Sequence, residues 1–311
     1  MVKKRKNERL GNFPKKVLVT GATGFVGSHL IARMIKDKWD VHIIIRDLSE
    51  LKSIEQYVGK IKYHIHDGST EGLVHIVKRA KPAFVIHLAS LFLARHEVKD
   101  IIPLIKSNII FGTQLLEAMA QNEVKYLINT GTSWQHYHDQ KYDPVCLYAA
   151  TKQAFEDIIK YYVEANSFKV ITLKLFDTYG PGDPRPKLFN LLKSTVKSGR
   201  LLKMSPGQQK IDLVYIDDVI EAYMIAAKRI IKNKEKNSDY AIASSKPVTI
   251  KKLISIFEKI VGVKLNVRFG ARPYRHREVM RPWGKGRRLP GWEPKTNIYD
   301  GIRKILLGSN A

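Results

Sequence analysis

The stretch Lys16-Val17-Leu18-Val19-Thr20-Gly21-Ala22-Thr23-Gly24-Phe25-Val26-Gly27 decides the fold. Lys16 to Thr20 is a short apolar run that ends on glycine, the pattern of a buried strand. Helical spacing follows from Ser28 to Lys36, with Leu30, Ile31, Met34 and Ile35 as its apolar positions. A strand, a glycine-rich turn and a helix in that order leave free N–H groups at the helix start, aimed where a pyrophosphate can sit. The three glycines have separate tasks: a tight turn, close approach of backbone to phosphate, and close packing of helix on sheet. Such spacing means little in isolation, but here it lies in the first strand–turn–helix unit, the context it requires. Gly21, Thr23, Gly24, Phe25, Val26 and Gly27 are therefore candidate cofactor-binding residues.

Outward from this unit the chain keeps alternating. Val41–Ile45, Tyr63–His66, Phe84–Leu88, Tyr126–Asn129 and Val170–Leu175 read as strands, and Ile109–Ala120 and Tyr148–Glu164 as helices. Alternation of this kind specifies an α/β protein with a Rossmann-type, doubly wound parallel sheet. Ligands then bind along the edge formed by the carboxyl ends of the strands. Residues 1–15 read as a flexible basic tail, 16–176 as the dinucleotide-binding domain, and 177–311 as a smaller α/β substrate-binding lobe that can interleave with it. Within that lobe Asp177–Lys187 reads as a proline-rich loop. Leu188–Lys197, Asp217–Ile231 and Thr249–Val261 read as helices, the last capped by Thr249. Ile211–Ile216 and Leu265–Phe269 read as strands.

The end of the second strand chooses the cofactor. An acid there holds the ribose hydroxyl of NAD, whereas a cation there holds the 2′-phosphate of NADP. The strand ends Ile44-Ile45-Arg46-Asp47, and the planar guanidinium of Arg46 suits a phosphate. NADP(H) is favoured. Asp47, one residue on, is the argument for NAD(H). Asp67, after the third strand, is a candidate acceptor for the adenine amine, or simply a turn residue before Gly68.

Tyr148 and Lys152 stand four residues apart and share a helix face. A phenol with an ordinary pKa of about 10 is a poor acid–base group near neutrality, and a cation beside it favours the phenolate. The same lysine can hold the nicotinamide ribose. Strand five ends Asn129-Thr130-Gly131-Thr132-Ser133-Trp134, so Thr132, or failing it Ser133, is placed to hydrogen-bond a substrate carbonyl beside Tyr148. Tyr148, Lys152 and Thr132 form the candidate catalytic set.

Bulk properties bound the setting. The single cysteine, Cys146, excludes an internal disulfide and suits a reducing compartment. With no apolar run of membrane-spanning length, the expectation is a cytoplasmic protein without membrane attachment. The net charge of +25 calls for acidic partners, and nine basic residues against one acid, Glu278, lie between Lys264 and Arg288. The intact Thr132–Tyr148–Lys152 set argues against a specific nucleic-acid module. The histidines show no metal-ligand spacing, so no metal is expected.

GATGFVG at 21–27, His87-Leu88-Ala89-Ser90, Asn108 with Gly112-Thr113, Tyr148-Ala149-Ala150-Thr151-Lys152, Tyr179-Gly180-Pro181-Gly182, Val214-Tyr215-Ile216-Asp217-Asp218-Val219 and Gly291-Trp292-Glu293-Pro294-Lys295-Thr296 resemble the extended short-chain dehydrogenase/reductase family, in its sugar-nucleotide epimerase/dehydratase branch. The likeness runs from Lys16 to about Leu307. It implies a nucleotide-sugar substrate and adds Leu88, Ala89, Ser90, Asn108 and Tyr148 to the cofactor contacts already read at Arg46, Asp67 and Lys152. It places Ser90, Thr132, Ser133, Tyr148, Asp177 and Tyr179 around the hexose, and offers Lys187, Asn190, Lys210, Arg268 and Arg272 to the nucleotide and its diphosphate. Arg275, Arg277, Arg281 and Arg288 read as plain surface. A homodimer is implied, paired through helices that begin near Asn108 and Tyr148. His87 reads as packing, and Trp134 as a pocket wall or core filler.

Asn129–Tyr137 and Asp143–Tyr162 further resemble bacterial reductases of the CDP-abequose synthase type, which make CDP-linked 3,6-dideoxyhexoses for surface polysaccharide such as O-antigen. The implied reaction is NADPH-dependent reduction of a C4 ketone on a CDP-4-keto-3,6-dideoxyhexose. Dehydratases of the family carry an Asp-Glu pair after the catalytic threonine, and Ser133-Trp134 stands there in this chain. The alternatives are an NAD-dependent 4-epimerase of nucleotide sugars and, from another class, a non-catalytic Rossmann module that binds nucleic acid or senses cofactor.

Overall fold

The computed structural model describes residues 14–46, 51–232 and 234–307, the side chain of Lys52 excepted. Most of the expected basic tail, and Asp47, lie outside the described residues. In chain order the elements are β1 (Lys16–Thr20), α1 (Phe25–Lys36), β2 (Asp40–Arg46), β3 (Lys62–His66), α2 (Thr70–Ala80), β4 (Phe84–His87), α3 (Ile101–Ile105), a π-helical stretch (Lys106–Ile110), α4 (Phe111–Gln121), β5 (Tyr126–Thr132), α5 (Leu147–Ala165) and β6 (Lys169–Leu175). They continue with β7 (Asp177–Tyr179), α6 (Leu188–Ser198), β8 (Leu202–Lys203), β9 (Lys210–Ile211), β10 (Leu213–Tyr215), α7 (Ile216–Ile230), β11 (Asn237–Ile242), β12 (Val248–Thr249), α8 (Ile250–Val261), β13 (Val267–Arg268) and α9 (Ile298–Leu307).

Seven strands form one sheet in the order β11-β6-β5-β4-β1-β2-β3. Every pairing within it is parallel. One face is covered by α2, α4 and α5, whose Leu73, Leu116 and Phe155 meet Leu18, Val85 and Leu127. The other is covered by α1 and α7, whose Leu30, Ile31 and Tyr223 meet Val17, Val19 and Ile128. Burial on both faces explains the near-continuous apolar runs of the central strands. The carboxyl ends of β1, β4, β5 and β6 share one edge, so the loops after them converge there.

Strand β11 comes from the later part of the chain and pairs with β6 from Asn237↔Val170 to Ile242↔Leu175. Its polar first half, Asn237-Ser238-Asp239, hides it from an apolar-run reading. The expected loop after Phe176 contains the short strand β7, which pairs with β10. The expected strand Ile211–Ile216 is split because Asp212 turns its carboxylate inward to accept the N–H groups of Ser244 and Ser245 at 2.7 and 2.9 Å. The helix expected at Ile109 begins earlier, at Ile101, and runs through the π-helical stretch. Among the described residues no helix is long and apolar enough to cross a membrane.

Candidate active site

The glycine loop is built by backbone contact. Gly21 has φ +70°, and a Cβ there would lie 2.6 Å from the Ala89 nitrogen in the loop after β4. A Cβ on Gly27 would lie 2.1 Å from the Gly21 carbonyl oxygen, so Gly27 holds α1 against its own entry turn. Gly24 differs: a Cβ there would meet only the Gly21 oxygen, at 3.3 Å. Gly24 is the N-cap of α1 and no side chain caps it, so the first-turn N–H groups face outward on an uncrowded side. Unfilled backbone donors beside an open glycine fit a pyrophosphate. Thr23 accepts the Ser53 hydroxyl through its carbonyl at 2.8 Å, and Val26 lines the cavity that Tyr148 and Thr132 also line. The Phe25 ring carries the Arg185 guanidinium 4.9 Å from its centre.

Arg46 is the exposed last residue of β2 and stands in register with His66. Asp67 is tied into the start of α2. Its Oδ1 accepts from the Ser69 N–H and hydroxyl at 2.9 and 2.7 Å, and those bonds hold its carboxyl below the usual range. Asp67 thus has a local structural task whatever it does for a ligand.

The loop after β4 is locked from below. The Thr20 hydroxyl bonds His87 Nδ1 at 2.8 Å and accepts from the Ala89 N–H at 3.2 Å. Burial drives the His87 pKa down to about 3, and its ring packs on Phe111 and Phe155. It is a neutral packing residue. Asn108, on the π-helical stretch, accepts from the Ser90 hydroxyl (3.2 Å) and the Leu91 N–H (2.7 Å), and donates to the Leu91 carbonyl and Thr151 Oγ1 (3.0 Å each). Those four bonds fill the capacity of an amide side chain. Asn108 thereby fixes the loop carrying Leu88, Ala89 and Ser90 to the helix that carries Tyr148.

Tyr148 sits in the first turn of α5, buried, with its ring edge-on to Phe92 at 5.0 Å. Burial raises its pKa above the ordinary value, assisted by Cys146; a hydrogen bond with Ser90 and the charge of Arg185 oppose the rise. Lys152 Nζ lies 6.0 Å from the centre of the Tyr148 ring. Burial pushes the lysine down to about 8, opposed by Glu156 one turn further along. For both groups burial is the largest effect, raising the phenol and lowering the lysine.

Thr132 closes β5, and its hydroxyl accepts the Trp134 N–H at 3.3 Å. Thr132, Ser133, Trp134 and Tyr148 line one cavity of about 110 Å³ together with Phe92 and Lys187. The sequence thus located residues that the fold does bring together. Arg185, on the same cavity, was missed. It lies in the proline-rich loop, paired with Asp183 at 2.6 Å, and only spatial proximity to Phe25 reveals it.

A second cavity, of about 150 Å³, adjoins the first, and Ser133, Trp134, Phe176 and Asp177 line both. Lys210, Arg275 and Trp283 belong to it. Arg275 is not plain surface: its guanidinium lies 5.3 Å over the Trp134 ring and pairs with Glu278 at 3.0 Å. Arg277 likewise covers Tyr137 at 4.4 Å and pairs with Asp143. Asp177 pairs with Lys187 at 3.9 Å.

Other expected substrate residues fall elsewhere. Tyr179 is buried against Phe189 and Tyr215, with its hydroxyl where a Cβ on Gly301 would stand, and it lines neither cavity. Asn190 donates to the carbonyls of Asp183 and Arg185 at 2.7 Å each, and so braces that loop. Arg268 and Arg272 are exposed, join Met204 through their backbones, and line neither cavity. Among the described residues no cluster of three or more potential metal ligands occurs.

A glycine cradle on β1–α1 and a Thr132–Tyr148–Lys152 set at the same sheet edge define a nicotinamide-dependent oxidoreductase. Residues 17–243 match the NAD dependent epimerase/dehydratase family, and the chain belongs to it, as an enzyme of the extended short-chain dehydrogenase/reductase type. Among curated relatives it is similar to the CDP-abequose synthase of Salmonella muenchen, 28% identical over 300 residues that cover 94% of this chain and 97% of the relative. It is also similar to the UDP-glucuronate 4-epimerase of Thermodesulfobacterium geofontis, 26% identical over 317 residues, covering 93% and 94%. Among solved structures, the UDP-glucose 4-epimerase of Thermotoga maritima with UDP-glucose superposes with a TM-score of 0.82 at 22% identity, covering 94% of this chain and 98% of that one. That likeness bears on the fold.

Proposed function

We propose that the enzyme reduces the C4 ketone of a nucleotide-linked deoxyhexose, of the CDP-4-keto-3,6-dideoxyhexose type, with NADPH. The observation that carries the reading is the buried phenol of Tyr148 sharing one cavity with Thr132. A reduced nicotinamide, when bound, supplies the hydride. The first-turn N–H groups of α1 beside Gly24 would hold its pyrophosphate, Arg46 its 2′-phosphate, and Asp67 its adenine. Tyr148 gives its phenol proton to the oxygen that was the carbonyl, and the phenolate left behind is stabilised by the Lys152 ammonium. The Thr132 hydroxyl donates a hydrogen bond to the same oxygen. Ser133 and Trp134, which occupy the positions after Thr132, offer no carboxylate for dehydration chemistry. Lys210 and Arg275 in the adjoining cavity suit a diphosphate. The CDP-abequose synthases among its relatives support the CDP-linked sugar.

The 4-epimerases among the relatives support a second reading, interconversion at C4 with NAD retained. One experiment separates the two. NADPH consumption is followed over a panel of nucleotide 4-ketosugars, with stereochemical analysis of the product. The expected result is stoichiometric NADPH oxidation with a CDP-linked ketosugar. Copurified NAD, no NADPH consumption and C4 interconversion would establish the epimerase. Tyr148→Phe should lower turnover by roughly 10²- to 10⁴-fold; full activity in that variant would remove Tyr148 from the mechanism. Pairing of two copies through the helices that begin near Asn108 and Tyr148 is supported by exposed Ile102, Ile110 and Tyr161 on those helices, and light scattering in solution reads it directly.

A further inference from the structure

Behind Thr132 lies a buried charged group that the mechanism above does not use. Lys174, on β6, is buried and stands in register with Gly131. Its ammonium lies 3.3 Å from Glu156 Oε2 and 2.9 Å from His136 Nε2. His136 Nδ1 bonds the Gln140 carbonyl at 3.1 Å, which makes Nδ1 the protonated nitrogen and Nε2 the acceptor from Lys174. The same ammonium lies 5.8 Å from the centre of the Trp283 ring, which stacks on His136 at 3.8 Å. Gln135, fully buried, donates to Glu156 Oε1 at 3.0 Å, and its own Oε1 accepts the backbone N–H of Thr132 at 2.9 Å. Gly131 lets these groups approach: a Cβ there would lie 2.8 Å from Glu156 Oε1.

The ion pair thus touches three parts of the site. Through Gln135 it holds the turn that presents Thr132. Through His136 and Trp283 it holds the wall of the second cavity. Through Glu156, four residues beyond Lys152 on α5, it faces the lysine of the catalytic set. We infer that Lys174 and Glu156 are positioning residues for the reaction, binding the Thr132 turn, the Trp283 wall and the charge of Lys152 into one unit. Lys152 faces Tyr148 and Glu156 from its own helix and neutral His87 from β4. Glu156 faces Lys174 on β6, Gln135 after β5 and Asp239 on β11.

The turnover part of this inference rests on the proposed reductase reading, so the test has one arm that needs no substrate. Lysine Nζ NMR titrates Lys152 directly in the wild type, in Glu156→Gln, and in the double variant Glu156→Gln/Lys174→Met. The double variant leaves no buried charge without its partner and so guards against simple unfolding. The titration of Lys152 should move to lower pH in both variants, because the carboxylate that favours the ammonium is gone. In the second arm, the alkaline limb of turnover moves with it, and kcat falls by about 10- to 100-fold as the Thr132 turn loosens, while NADPH binding by fluorescence is retained. An unmoved Lys152 titration in folded variants overturns the inference, as does an unmoved limb with wild-type kcat. If the wild type reduces no ketosugar, the reductase reading fails while the Nζ titration still decides this one.

Discussion

The two sides of the cleft are constructed by opposite means. On the side of the glycine loop, backbone meets backbone: Gly21 against Ala89, Gly27 against Gly21. On the side of Thr132, side chains meet side chains: Trp134 lies between Phe92 and Arg275, and Lys174 among Glu156, His136 and Trp283. Backbone contacts as close as those at Gly21 and Gly27 leave no room for a side chain. Side-chain contacts can be exchanged one at a time, so that side of a cleft can change substrate while the other keeps its cofactor.

The sharpest attempt to break this contrast is Gly27→Ala. Its Cβ would be enclosed by the Gly21 oxygen and by Ala22 Cα at 2.7 Å, neither of which can rotate away. Cofactor affinity should fall by more than about 100-fold, with a loss of stability of roughly 1–3 kcal/mol from overpacking; fluorescence titration and thermal unfolding measure the two. Gly24→Ala, with its single 3.3 Å approach, should fold like the wild type. On the other side, Arg275→Ala should raise KM for the nucleotide sugar by roughly 10- to 100-fold, the scale of a hydrogen bond to a charged group, and leave cofactor affinity alone. Equal loss of both would mean that the two sides are not independent. Arg46→Ala should narrow the preference for NADPH over NADH by roughly tenfold, read as the ratio of kcat/KM values.

Two pH effects complete the set. Lys152 is depressed to about 8, so its ammonium is present below that pH and lost above it. Turnover should decline along an alkaline limb near pH 8, because the phenolate formed on Tyr148 then lacks its counter-charge. The smallest effect concerns stability. His64, bonded to His42 at 2.9 Å and buried, is depressed to about 4 from an ordinary 6.5. The unfolded chain takes up a proton that the folded pair refuses. The full contribution is therefore present above pH 6.5 and is lost as pH falls from 6.5 toward 4. Urea midpoints across that window should decline, and His64→Gln should flatten the decline.

The glycine loop, the first six strands of the sheet and the Thr132–Tyr148–Lys152 set were legible because each is encoded by neighbours in sequence: a run, a spacing, a strand end. Helix α2 was legible too, in Leu73, Ile76, Val77 and Ala80 at helical spacing, but it went unread, as did Ile298, Ile302 and Ile305 of α9. The second cavity was not legible. Arg275 and Trp134 are 141 positions apart by number, and nothing local distinguishes Arg275 from Arg272 or Arg281. The pull of burial on Tyr148 and Lys152 was not legible either: spacing reports that a lysine is near, whereas burial is a property of the assembled chain.

Strand β11 has a consequence for how the molecule is assembled. Until residue 242 is available, β6 is an unpaired sheet edge, open to strands from other chains. The edge closes only when the chain returns from the later lobe, after α6 and α7 have been made. A polypeptide ending at residue 176 would carry every residue of the glycine loop and the catalytic set, yet present a raw edge beside them. A synthesis interrupted between β6 and β11 should therefore yield aggregate rather than a half-functional Rossmann unit.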